Sequence, residues 1–406
     1  MRVAILTSHP IQFQAPLFRE ISRHMDITVF FAHRATPEQQ AAAGFGRLFD
    51  WDVDLLEGYS HAFLSNVAHD PGAHHFAGCD TPEIGQKLTT GRFSALLVTG
   101  WHLKSYWQGI WAAKRRRIPI LVRGDSQLDT PRGLTKRLVK STIYPGLLRF
   151  FDAALYVGQR NRNYYEHYHY PDQRLFHSPH CVDNERFAAG ATPSARAKLR
   201  ARLELGPEEK AALFAGKLVA FKRPLDLIEA ASIVRTQGLP MKVVIAGSGP
   251  LEQELRSHSS AMDVPLHILG FQNQTEMPAA YAAADVLALP SSGRETWGLT
   301  CNEALACGTP LVVSDAVGCA PDLAADGVVG RTFPVGDVRA LSAAIVATLL
   351  SPPPPEAILQ ISNRYSLSAA AAGITQAIEH LGVERSCKNL VSFTSNPDRR
   401  DGSRRL

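Results

Sequence analysis

The stretch DVLALPSSGRETWGLTCNEALACGTPLVVSD, residues 285–315, decides how this chain is read. Its two short apolar runs, 285–289 and 310–314, have the aliphatic character of buried strands, and the segment between them predicts a loop that opens a helix over 299–306. A strand running through a loop into a helix leaves free backbone N–H groups and the positive end of the helix dipole at one point, a setting that suits a phosphate. Glu295 and Glu303 stand eight residues apart in this stretch. Glu303 falls about a turn inside the helix, where a carboxylate can accept two ribose hydroxyls, and Glu295 precedes the helix and faces the cleft from the other side of the phosphates. The same pair also reads as an acid favouring the helix dipole and an ordinary helix-surface glutamate.

Working outward, two more strand-to-helix turns precede this one. In FAGKLVAFKRPLDLIEA, residues 214–230, a strand ends at Gly216 and Lys217, Lys222 and Arg223 follow before a helix begins near Pro224. Lysines at the carboxyl end of a strand can neutralise a diphosphate, and a glycine there lets the backbone approach it, although solvated turns also carry such residues. AGSGP, residues 246–250, is a strand entering a glycine turn with proline in the first helical turn. It is not a GxGxxG dinucleotide fingerprint.

Strands are expected at 3–6, 27–31, 95–99, 118–122 and 153–157 in the first half, and at 211–215, 242–246, 266–269, 285–289 and 310–314 in the second. Helical-period segments alternate with them, at 16–23, 104–116 and 134–151, then 225–237, 251–257, 276–284 and 299–306. This is the pattern of parallel strands with crossover helices. The polar, Ala- and Arg-rich segment 189–207 separates two such patterns. The expected organisation is therefore α/β, with two doubly wound Rossmann-like domains, 1–188 and 208–365, facing across a cleft. A helix over 366–382 returns toward the first domain, and a disordered basic tail follows over 383–406. Residues 33–90 show no sustained period, and no topology is assigned to them.

Composition fits this reading. The 406 residues are 45% hydrophobic and 20% charged, which places the chain among proteins that bury cores. A net charge of +5 is too small to imply wholesale nucleic-acid binding. The six cysteines include no CxxC pair, so neither a zinc site nor a disulfide framework is expected, which fits a reducing compartment. The N-terminus reads as a first buried strand, without the features of a signal peptide. No apolar stretch is long enough to span a bilayer. The expected location is cytoplasmic, including the inner face of the membrane.

Taken in order, the blocks at 214–230, 246–250, 270–292 and 291–315 resemble the large family of retaining, nucleotide-sugar-dependent glycosyltransferases of the GT-B fold, called family 4 or group 1. The resemblance spans about 213–337. It implies transfer of a sugar from a nucleoside diphosphate sugar, such as a UDP- or GDP-sugar, to a hydroxyl of a glycan or lipid-linked acceptor, with no metal or other cofactor. By the same resemblance Lys217 and Lys222 grip the leaving diphosphate, Glu295 contacts the transferred sugar and Glu303 the ribose. The backbone at Gly298, Leu299 and Thr300 holds phosphate oxygens, and Gly216 and Gly249 leave room beside the donor. HSPHCVDNERF, residues 177–187, is similar to the family's interdomain segment, with His180 and Cys181 in place of Asn and Gly. The start SHPIQ at 8–12 and RGDS at 123–126 resemble a subgroup found among surface-polysaccharide transferases. A nucleotide-sugar epimerase or hydrolase of similar fold, and a non-catalytic nucleotide-sugar-binding subunit, are the rival readings.

In the first domain His102 follows a strand where the family often has a histidine near the reacting sugar, and His9 is placed to meet the donor phosphates or the acceptor. Arg123 and Asp125 either hydrogen-bond an acceptor or pair with each other. His69, Asp70, His74 and His75 have the composition of a metal site but not its spacing, and no metal is expected. The basic and apolar segment 133–151 reads equally as an amphipathic helix contacting an anionic membrane and as a solvated crossover helix.

Overall fold

The computed structural model describes residues 1–41, 48–130 and 132–394. The short apolar runs form two wholly parallel sheets. The first contains β1 (Arg2–Thr7), β2 (Asp26–Phe31), β3 (His61–Phe63), β4 (Ala95–Val98), β5 (Ile120–Gly124), β6 (Ala153–Tyr156) and β7 (Leu175–His177), in the order β3-β2-β1-β4-β5-β6-β7. The second contains β8 (Lys210–Ala215), β9 (Met241–Ala246), β10 (Leu266–Gly270), β11 (Val286–Leu289), β12 (Leu311–Ser314) and β13 (Gly330–Phe333), in the order β10-β9-β8-β11-β12-β13. Every residue of β4, β11 and β12 is buried, which is why these strands read as continuous apolar runs rather than alternating ones. Each sheet reverses its winding once, between β1 and β4 and between β8 and β11. Loops at the carboxyl ends beside such a reversal are where ligands bind in doubly wound sheets.

The expected fold class is what the chain adopts, and three strands escaped the sequence reading. β3, β7 and β13 are the outer strands on their sides of the sheets and are three or four residues long, too short to show a period. The segment 189–207, expected as a linker, is a built part of the second domain. Thr192 caps a helix, Pro193–Arg202, by accepting from the Ala195 N–H (3.1 Å), and Pro193 sits in its first turn. Arg196 and Arg200 of that helix reach Asp285 at the start of β11, at 2.8 and 3.1 Å, and Asp285 also accepts from the Ala211 N–H at 2.8 Å. Two arginines in a polar segment look solvated in sequence because their partner lies far along the chain.

The last helix, Leu367–Thr394, returns to the first sheet, where Ala370, Ile374, Ala377 and Ile378 are buried with Ile5 and Leu97. It runs past residue 382, where a tail was expected, because no proline interrupts it before Pro397. Residues 395–406 of the expected tail lie outside the described residues.

The Asp285 knot yields the first expectation. Burial raises the pKa of this carboxyl, but the Ala211 N–H and the two arginines outweigh it and hold it below the ordinary value. Its contribution to stability is therefore present above the ordinary carboxylate range and is lost as pH falls through the depressed folded value. Asp285→Ala strands two guanidinium groups and a backbone donor, and should cost about 3 kcal/mol. Urea unfolding measures the cost, and hydrogen exchange should show the helix Pro193–Arg202 losing protection first.

Candidate active site

A cavity of about 450 Å³ opens where the carboxyl ends of the two sheets meet. β8 and β9 run in register, Ala215 beside Ala246, so Gly216 and Gly247 lie side by side. A Cβ on Gly247 would stand 1.9 Å from the Gly216 carbonyl oxygen, which leaves glycine as the residue that fits. Beyond Gly216 the chain makes a short turn at Ala220–Lys222 and passes through Arg223 in a left-handed conformation (φ 52°) before the helix Pro224–Thr236. The turn folds Lys222 back so that its Nζ approaches Gly216.

Lys222 Nζ donates to Glu295 Oε2, with the two side chains 13% and 16% exposed. The same carboxylate oxygen accepts from Ser291 Oγ at 3.3 Å. The loop carrying Glu295 is tied to the turn carrying Lys222, because the Ser292 N–H donates to the Phe221 carbonyl at 2.8 Å. Gly318 N–H holds the Glu295 carbonyl at 3.0 Å. Lys217 lines the same cavity, and burial, reinforced by Lys222, lowers its pKa against the pull of Glu295.

Gly298, with φ 100°, turns the chain into the helix Leu299–Ala306, and Gly298, Leu299 and Thr300 all line the cavity. Thr300 Oγ1 is buried and has no protein partner. Glu303, one turn further, accepts from Tyr281 Oη at 2.5 Å. Burial raises its pKa to about 7, against the lowering effects of Tyr281 and Arg186. Gly249 does not line the cavity. Its place is against Leu218, whose carbonyl oxygen would stand 2.7 Å from an added Cβ.

The structure therefore brings together Gly216, Lys217, Lys222, Glu295, Gly298, Leu299, Thr300 and Glu303 around one cavity. The first-domain assignments fare differently. Arg123 is buried and turned away: its guanidinium donates to Ser178 Oγ (3.1 Å), the Ser178 carbonyl (3.3 Å) and the Pro179 carbonyl (2.7 Å). An acceptor-binding role for Arg123 is thus corrected to one of fixing the turn after β7. Asp125, two residues on, is the one that lines the cavity, and its Oδ2 accepts from Thr296 Oγ1 of the second domain at 2.7 Å. His102 is exposed on the turn after β4 with its ring edge on Tyr106, outside the cavity lining. His9 lines a second cavity of about 380 Å³ with His33, Gln39 and His74, and this cavity shares Gln12 and Trp51 with the first. Burial and His33 push the His9 pKa down to about 4, so its ring is neutral at physiological pH.

His180 and Trp297 were missed as site residues. Both line the cavity, with rings 5.5 Å apart, and the Asn302 amide bridges them by donating to the His180 carbonyl (3.1 Å) and accepting from Trp297 Nε1 (2.7 Å). The one sequence signal was His180 standing where the interdomain motif has Asn. Asp70, His74 and His75 do converge, with ligand atoms within 4.8 Å of one another. His75 Nε2 already bonds the Asp70 carbonyl at 3.1 Å, and Asp70 and His74 are exposed, so the cluster carries no metal assignment.

Comparison with known proteins places this geometry. Residues 195–364 match the family described as Glycosyl transferases group 1. A GDP-mannose-dependent alpha-(1-6)-phosphatidylinositol monomannoside mannosyltransferase of Mycolicibacterium smegmatis is 32% identical over 222 residues, which are 53% of this chain and 57% of that protein. A D-inositol 3-phosphate glycosyltransferase of Saccharomonospora viridis is 35% identical over 182 residues, 42% of this chain and 41% of that one. The chain thus spans about half the length of these curated relatives. Among solved structures, Anabaena HepE in complex with UDP superposes with a TM-score of 0.72 at 16% identity, over 94% of this chain and all (100%) of that one. WaaG, a glycosyltransferase involved in lipopolysaccharide biosynthesis, superposes with a TM-score of 0.61 at 14% identity, over 93% of this chain and 98% of that one. The two parallel sheets and the cleft between them give the chain the GT-B architecture of these structures, and the second domain is the part that is similar to the glycosyl transferases group 1 family, over residues 195–364.

Proposed function

We propose that this protein transfers a sugar, with retention of anomeric configuration, from a nucleoside diphosphate sugar to a hydroxyl of a glycan or lipid-linked acceptor. The observation that carries the reading is the Lys222–Glu295 pair with Lys217, set in one cavity with the N-terminus of the helix Leu299–Ala306. Cations and a helix N-terminus converging on one point suit a diphosphate. The UDP complex named for HepE supports a nucleotide donor, and the group 1 match supports transfer.

In this reading Lys217 and Lys222 hold the diphosphate, and the backbone N–H groups at Gly298, Leu299 and Thr300 take phosphate oxygens. The Thr300 hydroxyl, buried without a protein partner, finds one there. Glu303 receives the ribose hydroxyls and Glu295 the transferred sugar. As the anomeric C–O bond stretches toward an oxocarbenium-like state, negative charge grows on the leaving phosphate. The lysines and the helix N-terminus are already aimed at that charge, so little reorganisation is needed as it develops. The leaving phosphate then takes the proton of the attacking hydroxyl. The acceptor occupies the second cavity, beside His9, which adjoins the first through Gln12 and Trp51. The two lysines neutralise the diphosphate in place of a divalent cation.

A panel of UDP, GDP, ADP and TDP, each with and without EDTA, tests the donor half by thermal stabilisation, since a ligand that binds only the folded state raises the melting temperature. One nucleotide should raise it selectively and EDTA should leave the shift intact. A folded, cooperative protein that responds to none would remove the donor assignment. Lys222→Ala should lower the transfer rate by about 10² to 10³-fold, the scale of losing one preorganised stabilising group, and near-normal turnover would sink its role.

Glu303 adds a pH dependence. With its pKa raised to about 7, it is largely protonated in the empty site at pH 6. Two ribose hydroxyls require the carboxylate, so nucleotide binding should release a proton there, and affinity should rise with pH up to about 7 and then level off. Calorimetry in buffers of different ionisation enthalpy reads the proton release. Glu303→Gln should flatten this part of the profile.

A further inference from the structure

The helix Leu134–Leu148 is unlike its neighbours. Of its fifteen residues only Leu148 is buried, whereas the adjacent helix Lys104–Arg115 buries six of twelve. Leu134, Leu138, Val139 and Ile143 are exposed by 83%, 71%, 51% and 55%. At about 100° per residue these four fall within one half of the helix circumference, and Lys136, Arg137 and Lys140 fall on the adjoining arc. No Asp or Glu occurs between Asp129 and Asp152, while Arg132, Lys136, Arg137, Lys140 and Arg149 do. The carboxylates that bound this stretch are taken by other cations, Asp129 by Arg160 and Asp152 by Lys114. Just past the helix, Phe150 meets the half-exposed Trp111 ring at 5.3 Å.

We propose that this helix docks flat on an anionic lipid surface, its leucines and isoleucine entering the headgroup boundary and its lysines and arginines meeting lipid phosphates. Charge selects the occupant. A second copy of the same face would set five cations, with no carboxylate in the stretch, against five more, which disfavours a two-fold dimer. Residues 395–406 carry Arg399, Arg400, Arg404 and Arg405 against Asp398 and Asp401, so that segment would be repelled as well. An apolar strip flanked by cations matches a surface that is apolar inside and anionic outside. Among the described residues no helix is long and apolar enough to cross a membrane, so the contact is peripheral.

Position gives the contact a use. The helix begins nine residues after Asp125, which lines the donor cavity, and nine residues span at most about 30 Å. Docking there holds the cleft at the lipid surface, where a lipid-linked acceptor presents its hydroxyl. That use rests on the transfer reading above, and the docking itself is measured without it.

The test is co-sedimentation of the full chain with vesicles of phosphatidylcholine plus phosphatidylglycerol, and with phosphatidylcholine alone. The protein should bind the anionic vesicles, release from them in high salt and ignore the neutral ones. Two separate variants should each weaken binding on the order of tenfold or more: Leu134→Ser with Leu138→Ser and Ile143→Ser, and Lys136→Gln with Arg137→Gln and Lys140→Gln. Five of the six positions are exposed and Lys140 is half-buried over the Tyr144 ring, so melting temperature should change little in either variant, which separates lost docking from lost folding. Absence of binding to either vesicle, equal binding to both, or undiminished binding by both variants overturns the proposal. So does a doubling of mass in solution that either variant abolishes, since the face would then be an interface between copies. A nucleotide shift that persists while docking fails removes the membrane contact alone and leaves the donor reading standing.

Discussion

Two charges placed beside each other in a shielded cleft, Lys222 and Glu295, set the terms for the second domain. Neither is near the other in sequence, and each sits on a loop rather than on a strand. Withdrawing such a pair from water is costly unless the partners are held in good geometry and the remaining oxygen lone pairs are met. The structure meets that condition from several sides: Ser291 bonds the carboxylate, the Phe221 carbonyl accepts from Ser292 N–H, Ser314 Oγ donates to the Ser291 carbonyl, and Gly318 N–H holds the Glu295 carbonyl. The close approach of Gly216 and Gly247 leaves space above the strand ends for the pair and for whatever it binds. These contacts all lie beside the reversal in strand order between β8 and β11, where the two neighbouring crossovers diverge and open a crevice.

The first domain closes that crevice with a set of polar bonds. Thr296 reaches Asp125, the Gln127 amide reaches the Gly293 carbonyl at 3.2 Å, and Asn302 reaches the His180 carbonyl. Farther out, Asn273 donates to the Asp50 carbonyl at 2.8 Å, and the Phe49 and Phe271 rings lie 4.4 Å apart. The cavity around Glu295 is thus shaped by both domains, although most of its lining residues come from one. Polar contacts of this kind exchange readily with water, while Val157, Val182 and Phe187 of the first domain are buried in one apolar cluster with second-domain residues. The Trp297 ring belongs to this apolar part of the contact. It is buried against His180, Tyr365 and the Gly158 backbone.

What could be read from sequence follows from how local each feature is. The second-domain cluster was legible because Gly216, Lys217 and Lys222 share one turn and Glu295, Gly298 and Glu303 another, so spacing along the chain stands in for spacing in the cavity. The first-domain half was not. Gln12, Trp51, Asp125 and His180 come from four separate loops, and although three of them fall in segments quoted above, no spacing along the chain joins them. Arg123 and Asp125 show the limit most clearly. Both belong to one short motif, yet the strand ends between them at Gly124, so the arginine is drawn inward by the Ser178 and Pro179 carbonyls while the aspartate emerges into the cleft. Arg196 and Arg200 failed for a related reason, since their partner Asp285 is distant in the chain. Register and crossover geometry decide such cases, and neither is written in any single window.

Glu303 ties stability to function. A carboxyl lifted from 4.5 to about 7 is one whose ionised form the folded protein holds at a penalty on the order of 3 kcal/mol. A helix-surface glutamate would carry no such penalty, so burial beneath Tyr281 needs a reason. Thr300 Oγ1, one turn earlier, is buried without a partner, which is also unfavourable. Both groups lie on one helix face at one cavity, and both deficits are relieved by a ligand that supplies hydroxyl donors to the carboxylate and an oxygen acceptor to the threonine. The donor proposed above, with a ribose joined to a diphosphate, offers both within one molecule. The strain of the empty site and the affinity of the filled one are then two measures of the same unmatched hydrogen bonds.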